Sequence, residues 1–249
     1  MPSPGAGRNG VEFLERYTIS PDQILYQTAT SIVLAGTDKR SDHAPVALKF
    51  MRSKADYLAE TKSAARNASH ASCSNIIAVV ESERVNGGLI TQKDVDALTG
   101  SAVERICSDL NLCGTYLVIL ERGSVDLLHE ISHKVYAHHS ELIEVAKDVA
   151  STLQYMNEAM LTAHGDVKLR NFVKTHSMDG TIRWKAIDLD GSARHGDPIG
   201  AKLSTACCPP EMARLRYKYL YGDCTDSARP ASDEVRPAVS ISCVPPSMR

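Results

Sequence analysis

The chain carries His164-Gly165-Asp166-Val167-Lys168-Leu169-Arg170-Asn171 and then Ile187-Asp188-Leu189-Asp190, placed behind a long amphipathic stretch. An Asp, an Asn five residues on and a further Asp before a turn supply the groups that magnesium-dependent phosphoryl transfer needs. One carboxylate orients or deprotonates the attacking hydroxyl. An amide oxygen and a second carboxylate hold the cation against phosphates whose charge repels the nucleophile. Each residue alone could equally cap a turn; the ordered set, with a helix before it, is what narrows the possibilities.

That helix is expected from Leu142, Ile143, Ala146, Val149, Ala150, Leu153 and Met156, which recur at three-and-four spacing. It ends before His164-Gly165, and two short strands follow, Asn171 to Lys174 and Thr181 to Ile187, divided by Met178-Asp179-Gly180. The first half reads differently. Apolar runs with β-branched residues from Gln23 to Ala35 and Pro45 to Met51 suggest strands around a polar turn, Gly36 to His43. Tyr57 to Ala68, with neither Pro nor Gly, favours a helix. Asn75 to Val80 and Thr115 to Leu120 read as strands, and the segment between them, with Asn86-Gly87-Gly88 and Gly100, as mainly loop. Strands first and helices later imply an α+β chain: a flexible tail over 1–20, a sheet-based lobe over 21–123, a helical lobe over 124–222, and a disordered tail over 223–249.

Composition excludes several functions. The net charge of -2 and 5% aromatic content give no basis for a nucleic-acid partner. Seven cysteines without a C-x-x-C pair fit reduced thiols in a cytoplasmic, soluble protein. The N-terminal residues lack a signal-peptide apolar core, and runs such as Leu117 to Leu120 are too short for a membrane span. His133, His138 and His139 lack a third ligand at zinc-enzyme spacing and read as a solvated helix start.

The ordered residues resemble the eukaryotic-type protein kinase domain over roughly residues 20 to 215. His164 to Asn171 is similar to the catalytic loop H-R-D-x-K-x-x-N, and Asp188-Leu189-Asp190 to D-F-G. Val46-Ala47-Leu48-Lys49 resembles V-A-I-K, and Cys208-Pro209-Pro210-Glu211 resembles A-P-E. The resemblance implies a two-lobe fold with an antiparallel-sheet N-lobe and a partial helical C-lobe. It also implies ATP and Mg²⁺ as cofactors and Ser/Thr hydroxyls of proteins as acceptors. Asp166 would be the catalytic base and Lys168 the γ-phosphate contact, with Asn171 and Asp188 as metal ligands. Lys49 would meet the α- and β-phosphates with Glu60 as its ion-pair partner. Leu120 would be the gatekeeper, and backbone groups of Glu121 to Gly123 would meet adenine, with Ile32, Ala47 and Val173 around the nucleotide.

The departures are equally specific. Leu25, Gln27 and Thr30 stand where the family's glycine-rich loop has glycines, so backbone N–H groups there lose close access to phosphates. Gly165 replaces the arginine of H-R-D, removing the partner of an activation-segment phosphate. Only 38 residues follow Glu211, which suggests a truncated C-lobe that a partner could complete. Two alternatives follow. A pseudokinase or remnant would keep the fold without turnover. A small-molecule phosphotransferase of the aminoglycoside or choline kinase type would also use H-G-D-x-x-x-x-N and I-D-x-D, which suits Gly165 and Asp190.

Overall fold

The computed structural model describes residues 10–68, 75–81, 87–99, 110–134, 138–176 and 180–197, with 210, 213, 214 and 218. The chain is α+β and forms two compact units, Met1–Ser124 with Thr175–Arg183, and Val125–Lys174 with Trp184–Arg249.

The first unit is built on a six-stranded antiparallel sheet ordered β1-β2-β3-β4-β6-β5. Its strands are β1 (Val11–Phe13), β2 (Tyr17–Gln27), β3 (Ser31–Asp38), β4 (Ala44–Met51), β5 (Val79–Glu81) and β6 (Tyr116–Glu121). Side chains alternate across a strand, and β4 shows the consequence. Val46, Leu48 and Phe50 join the apolar core with Phe13, Ile19, Leu34, Leu117 and Ile119, which leaves Ala47, Lys49 and Met51 for the opposite face. Helix α1 (Lys54–Ala68) starts after Ser53, whose hydroxyl accepts from the Asp56 N–H at 3.2 Å. Its Tyr57 ring meets that of Tyr116 at 5.5 Å.

Three expectations need correction here. Residues 11–20 are not a tail: Val11, Phe13, Tyr17 and Ile19 alternate, are fully buried or nearly so, and pair as β1 and β2. Gly36 is not in a turn but inside β3. A Cβ there would lie 2.5 Å from Leu48 Cδ1 and 2.7 Å from the Thr18 carbonyl oxygen, so glycine serves close strand approach. The reversal comes later, through the 3₁₀ turn Lys39–Ser41 and left-handed Asp42 and His43. Between β5 and β6, helix α2 (Gln92–Asp96) forms where mainly loop was expected. Thr91 and Asp94 close a reciprocal capping box that stabilises its first turn.

The second unit holds α3 (Leu127–His133), α4 (His139–Glu158) and the short strands β7 (Thr162–Ala163) and β10 (Ala193–Arg194). It also holds the Phe172–Lys174 and Trp184–Ala186 parts of β8 (Phe172–His176) and β9 (Ile182–Ala186), whose remaining residues belong to the first unit. β8 pairs with β9 and β7 with β10. Leu127, Phe172, Trp184 and Ala186 form its core, with Val145, Val149 and Leu153 of α4 packed against it. Asp148 of α4 accepts the Trp184 N–H at 3.2 Å, tying helix to hairpin. Among the described residues no helix is long and apolar enough to cross a membrane. The Cys208 to Glu211 motif, apart from Pro210, and the segment 223–249 lie outside the described residues.

Candidate active site

The residues singled out by sequence fall into two groups. Ile32, Ala47, Lys49, Glu60, Glu121 and Gly123 belong to the first unit, and Asp166, Lys168, Asn171, Val173 and Asp188 to the second.

In the second unit, the β7–β10 pair fixes the start of the loop 164–171, and β8 fixes its end. Asp166 and Asn171 are both buried. The Asn171 side-chain amide donates to the Asp166 carbonyl at 2.8 Å and lies 3.3 Å from Asp166 Oδ2. With Nδ2 committed to the loop, Oδ1 is the atom of Asn171 suited to a cation. Lys168 brings its ammonium within 2.6 Å of Asp166 Oδ2. The 3₁₀ turn Leu169–Asn171 supplies the return: the Asn171 N–H donates to the Lys168 carbonyl at 2.9 Å.

Asp188 ends β9's exit segment with φ 61° and ψ 56°. A non-glycine residue in left-handed backbone is uncommon and such conformations cluster at functional positions, Asp being among the side chains that tolerate it. The 3₁₀ turn Leu189–Gly191 follows, closed by the Ser192 N–H on the Leu189 carbonyl at 3.0 Å. Asp188 and Asp190 each bring a carboxylate oxygen within 4.8 Å of the other. Oxygen donors from two carboxylates and an amide are the chemistry a hard divalent cation takes.

Two stitches join the Asp166 loop to the Asp188 turn. The Ile187 N–H donates to the Asn171 carbonyl at 2.9 Å, and His164 Nε2 donates to the Ile187 carbonyl at 3.1 Å. His164 is 3% exposed. Burial lowers its pKa below the ordinary 6.5, against its backbone hydrogen bonds and the fields of Asp188 and Asp166, which raise it. Among the described residues its Nδ1 has no hydrogen-bond partner. Val173 lies on β8 and bridges Asp126, ahead of α3.

In the first unit, Lys49 and Glu60 form a buried ion pair at 3.2 Å. Ala47 shares the Lys49 face of β4, and Ile32 is buried on β3. Glu121 spends its N–H on the Ala78 carbonyl at 2.8 Å and accepts the Ala78 N–H on Oε2 at 3.2 Å, so that N–H is not offered to a base. Gly123 follows β6 and is partly exposed. Leu25 and Gln27 lie in β2 and Thr30 in the turn after it, all exposed. Thr28 Oγ1 accepts from the N–H groups of Thr30 and Ser31 at 3.3 and 3.0 Å, while the Thr28 N–H donates to the Ser31 carbonyl. The turn consumes its own backbone donors, which the missing glycines alone did not reveal.

Sequence reasoning also missed Arg16 and Asp38. Arg16 forks onto both Asp38 oxygens at 2.8 and 2.6 Å. The guanidinium, aided by the Arg40 N–H and the Ser41 hydroxyl, holds the buried Asp38 carboxyl at a pKa of about 2. This pair fastens the β2–β3 end of the sheet and is structural. His138 and His139 stand at the start of α4 as expected, whereas His133 ends α3 and stacks on His129 at 4.0 Å; all three are exposed. The chain matches no family model and no curated protein sequence.

Proposed function

We propose that this chain is an ATP-dependent, protein-kinase-like phosphotransferase with the kinase two-lobe fold, passing the γ-phosphate of Mg-ATP to Ser/Thr hydroxyls of proteins. The observation that carries this reading is the Asp166–Lys168–Asn171 constellation, preceded by a long helix and joined to the segment of left-handed Asp188 by the Ile187 N–H on the Asn171 carbonyl.

In this reading Asp166 accepts the proton of the acceptor hydroxyl, and Asn171 orders the loop that presents it. Lys168 holds the Asp166 carboxylate in place and offers positive charge to the transferring phosphoryl group. Asp188 and Asn171 Oδ1 would hold Mg²⁺, which when bound neutralises phosphate charge. In the first unit Lys49, oriented by Glu60, would meet the α- and β-phosphates. The self-closed Thr28–Ser31 turn leaves the phosphates with few roof donors, so turnover is slow. Two observations favour a second reading, transfer to a small-molecule hydroxyl: Gly165 in place of arginine, and the convergence of Asp190 with Asp188.

The test is a radiolabelled ATP assay with generic protein substrates and a panel of small alcohols, comparing the wild type with Asp166→Ala. Labelled protein in the wild type alone supports the first reading, and labelled small alcohol the second. Signals equal in both proteins and near background would leave a binding module as the better account.

A further inference from the structure

Gly165 sits between His164 and Asp166 with φ 80°, a conformation that L side chains rarely adopt. Conformation is only part of the constraint. A Cβ on Gly165 would lie 2.9 Å from the carbonyl carbon of Gly191 and closer still to its oxygen. Both contacts are with backbone, so no side-chain rotation relieves them. Gly191 is buried and closes the 3₁₀ turn that follows Asp188. The loop bearing Asp166 therefore rests on the turn bearing Asp188 with nothing between the two backbones.

We propose that Gly165 is a positioning residue: its missing side chain seats the Asp166 loop on the Gly191 carbonyl and thereby sets where Asp166 stands relative to Asp188. Two hydrogen bonds already join the same segments, Ile187 N–H to the Asn171 carbonyl and His164 Nε2 to the Ile187 carbonyl. The glycine seat is the third attachment, and it lies closest in sequence to Asp166. Where the protein-kinase pattern has an arginine, this chain has a fixed backbone contact, so alignment of the loop needs no phosphate on another segment. The inference rests on the phosphotransferase reading for its consequence in catalysis, but the seat itself is measurable without turnover.

The experiment compares Gly165→Ala with Gly196→Ala. Gly196 has φ 88°, and a Cβ placed on it would meet nothing within 4 Å, so its variant carries the backbone strain without the collision. Amide hydrogen exchange at Ile187 and Ser192 is expected to accelerate at least ~10-fold in Gly165→Ala and to stay at wild-type rates in Gly196→Ala. With Mg-ATP and whichever acceptor the wild type labels, kcat/KM should fall on the order of 100-fold in Gly165→Ala only, mainly through kcat. Equal exchange in the two variants overturns the seat. Faster exchange with unchanged kcat/KM overturns its role in positioning. A wild type that neither binds nor turns over Mg-ATP sinks the phosphotransferase reading, and exchange alone then decides the seat. Should Gly165→Ala fail to fold, native-state exchange of the wild type along a denaturant series decides it. The Asn171, Ile187 and Ser192 amides should open as one unit, and separate openings overturn the proposal.

Discussion

The ammonium of Lys168 lies 2.6 Å from Oδ2 of Asp166, two residues away along an extended stretch of loop. Lys168 is partly exposed and Asp166 buried, so the lysine is the solvent-facing member of the pair. If it serves transfer, Lys168→Met should lower kcat on the order of 100-fold while changing the KM for ATP much less. Steady-state kinetics give both numbers. A loss confined to KM would make Lys168 a ground-state contact only.

Asp188 and Asn171, which would hold the proposed cation, lie on two segments joined by the Ile187–Asn171 hydrogen bond. Asp188→Asn keeps the size of the side chain and the tolerance for left-handed backbone while removing charge. It is expected to abolish the Mg²⁺ dependence of nucleotide affinity, with the thermal midpoint near wild type. Calorimetric titration of ATP with and without Mg²⁺ measures this. Equal affinities in wild type and variant would argue for metal-independent binding.

Lys49 and Glu60 are buried partners, so removing one charge strands the other in a medium that solvates it poorly. Lys49→Met should cost about 3 kcal/mol of stability, and Lys49→Met with Glu60→Leu should recover most of it. Nucleotide affinity should be lost in both. Urea denaturation and ATP titration separate the two effects. A double variant that regains stability and still binds ATP would leave Lys49 a structural residue.

How much of this was legible in the sequence follows from how local each signal is. The three-and-four spacing of Leu142 to Met156 located α4 because it repeats along one element, although of those apolar residues only Met156 is buried and Leu142, Ile143, Ala146 and Ala150 are exposed. The order Asp166, Asn171, Asp188 marked a candidate site. β1 was missed because Val11–Phe13 offers only three residues of alternation, and its burial depends on pairing with Tyr17–Ile19. Thr91 and Asp94 did signal α2 by their capping-box spacing, but five residues give no apolar period to support them. Arg16 and Asp38 meet through the register of β2 on β3, which no local pattern encodes. Gly165 was visible as a missing arginine, whereas its left-handed backbone and the Gly191 carbonyl beside it are properties of the folded chain. Helix α1 begins at Lys54 and so includes Asp56, yet Glu60, the one acidic residue of the expected helix Tyr57 to Ala68, is the acid that meets Lys49.

Asp38 gives stability an acid limb. Its pKa is lowered from 3.8 to about 2, foremost by the Arg16 hydrogen bond. A depressed carboxyl stabilises the fold above its unfolded value, and that contribution disappears as pH falls through the folded value. About 2 kcal/mol should therefore be present above pH ~4, fall through the range between, and vanish only below pH ~2. Asp38→Asn should lose that amount at neutral pH and flatten the limb. Denaturant midpoints at several pH values between 5 and 2 provide the check. A wild-type curve parallel to the variant's would show that Arg16 does not hold the carboxyl as the geometry indicates.

His164 acts in a separate window. Its imidazole donates from Nε2 to the Ile187 carbonyl, and its pKa is lowered because burial disfavours the imidazolium. Above the ordinary value of 6.5 the ring is neutral in both folded and unfolded chains and contributes no pH dependence. Below it the unfolded chain takes up a proton that the folded chain resists, so stability falls as pH falls, by at most about 1.4 kcal/mol per pH unit. The decline ends once pH passes the folded value, where the ring protonates in place. Asp188 and Asp166 work against burial, so removing either charge should lower the folded pKa further and lengthen the decline. His164→Gln retains a side-chain donor for Ile187 while removing the titration, and the chain's other histidines contribute equally to both proteins. Urea midpoints at pH 7.5, 6.5 and 5.5 should therefore show little relative change from 7.5 to 6.5 and the wild type losing ground to the variant below 6.5. A difference that stays constant across those pH values would mean that the folded protein binds this proton as readily as the unfolded chain. His164 would then be open to water, and the stitch between the Asp166 loop and Ile187 looser than its hydrogen bond implies.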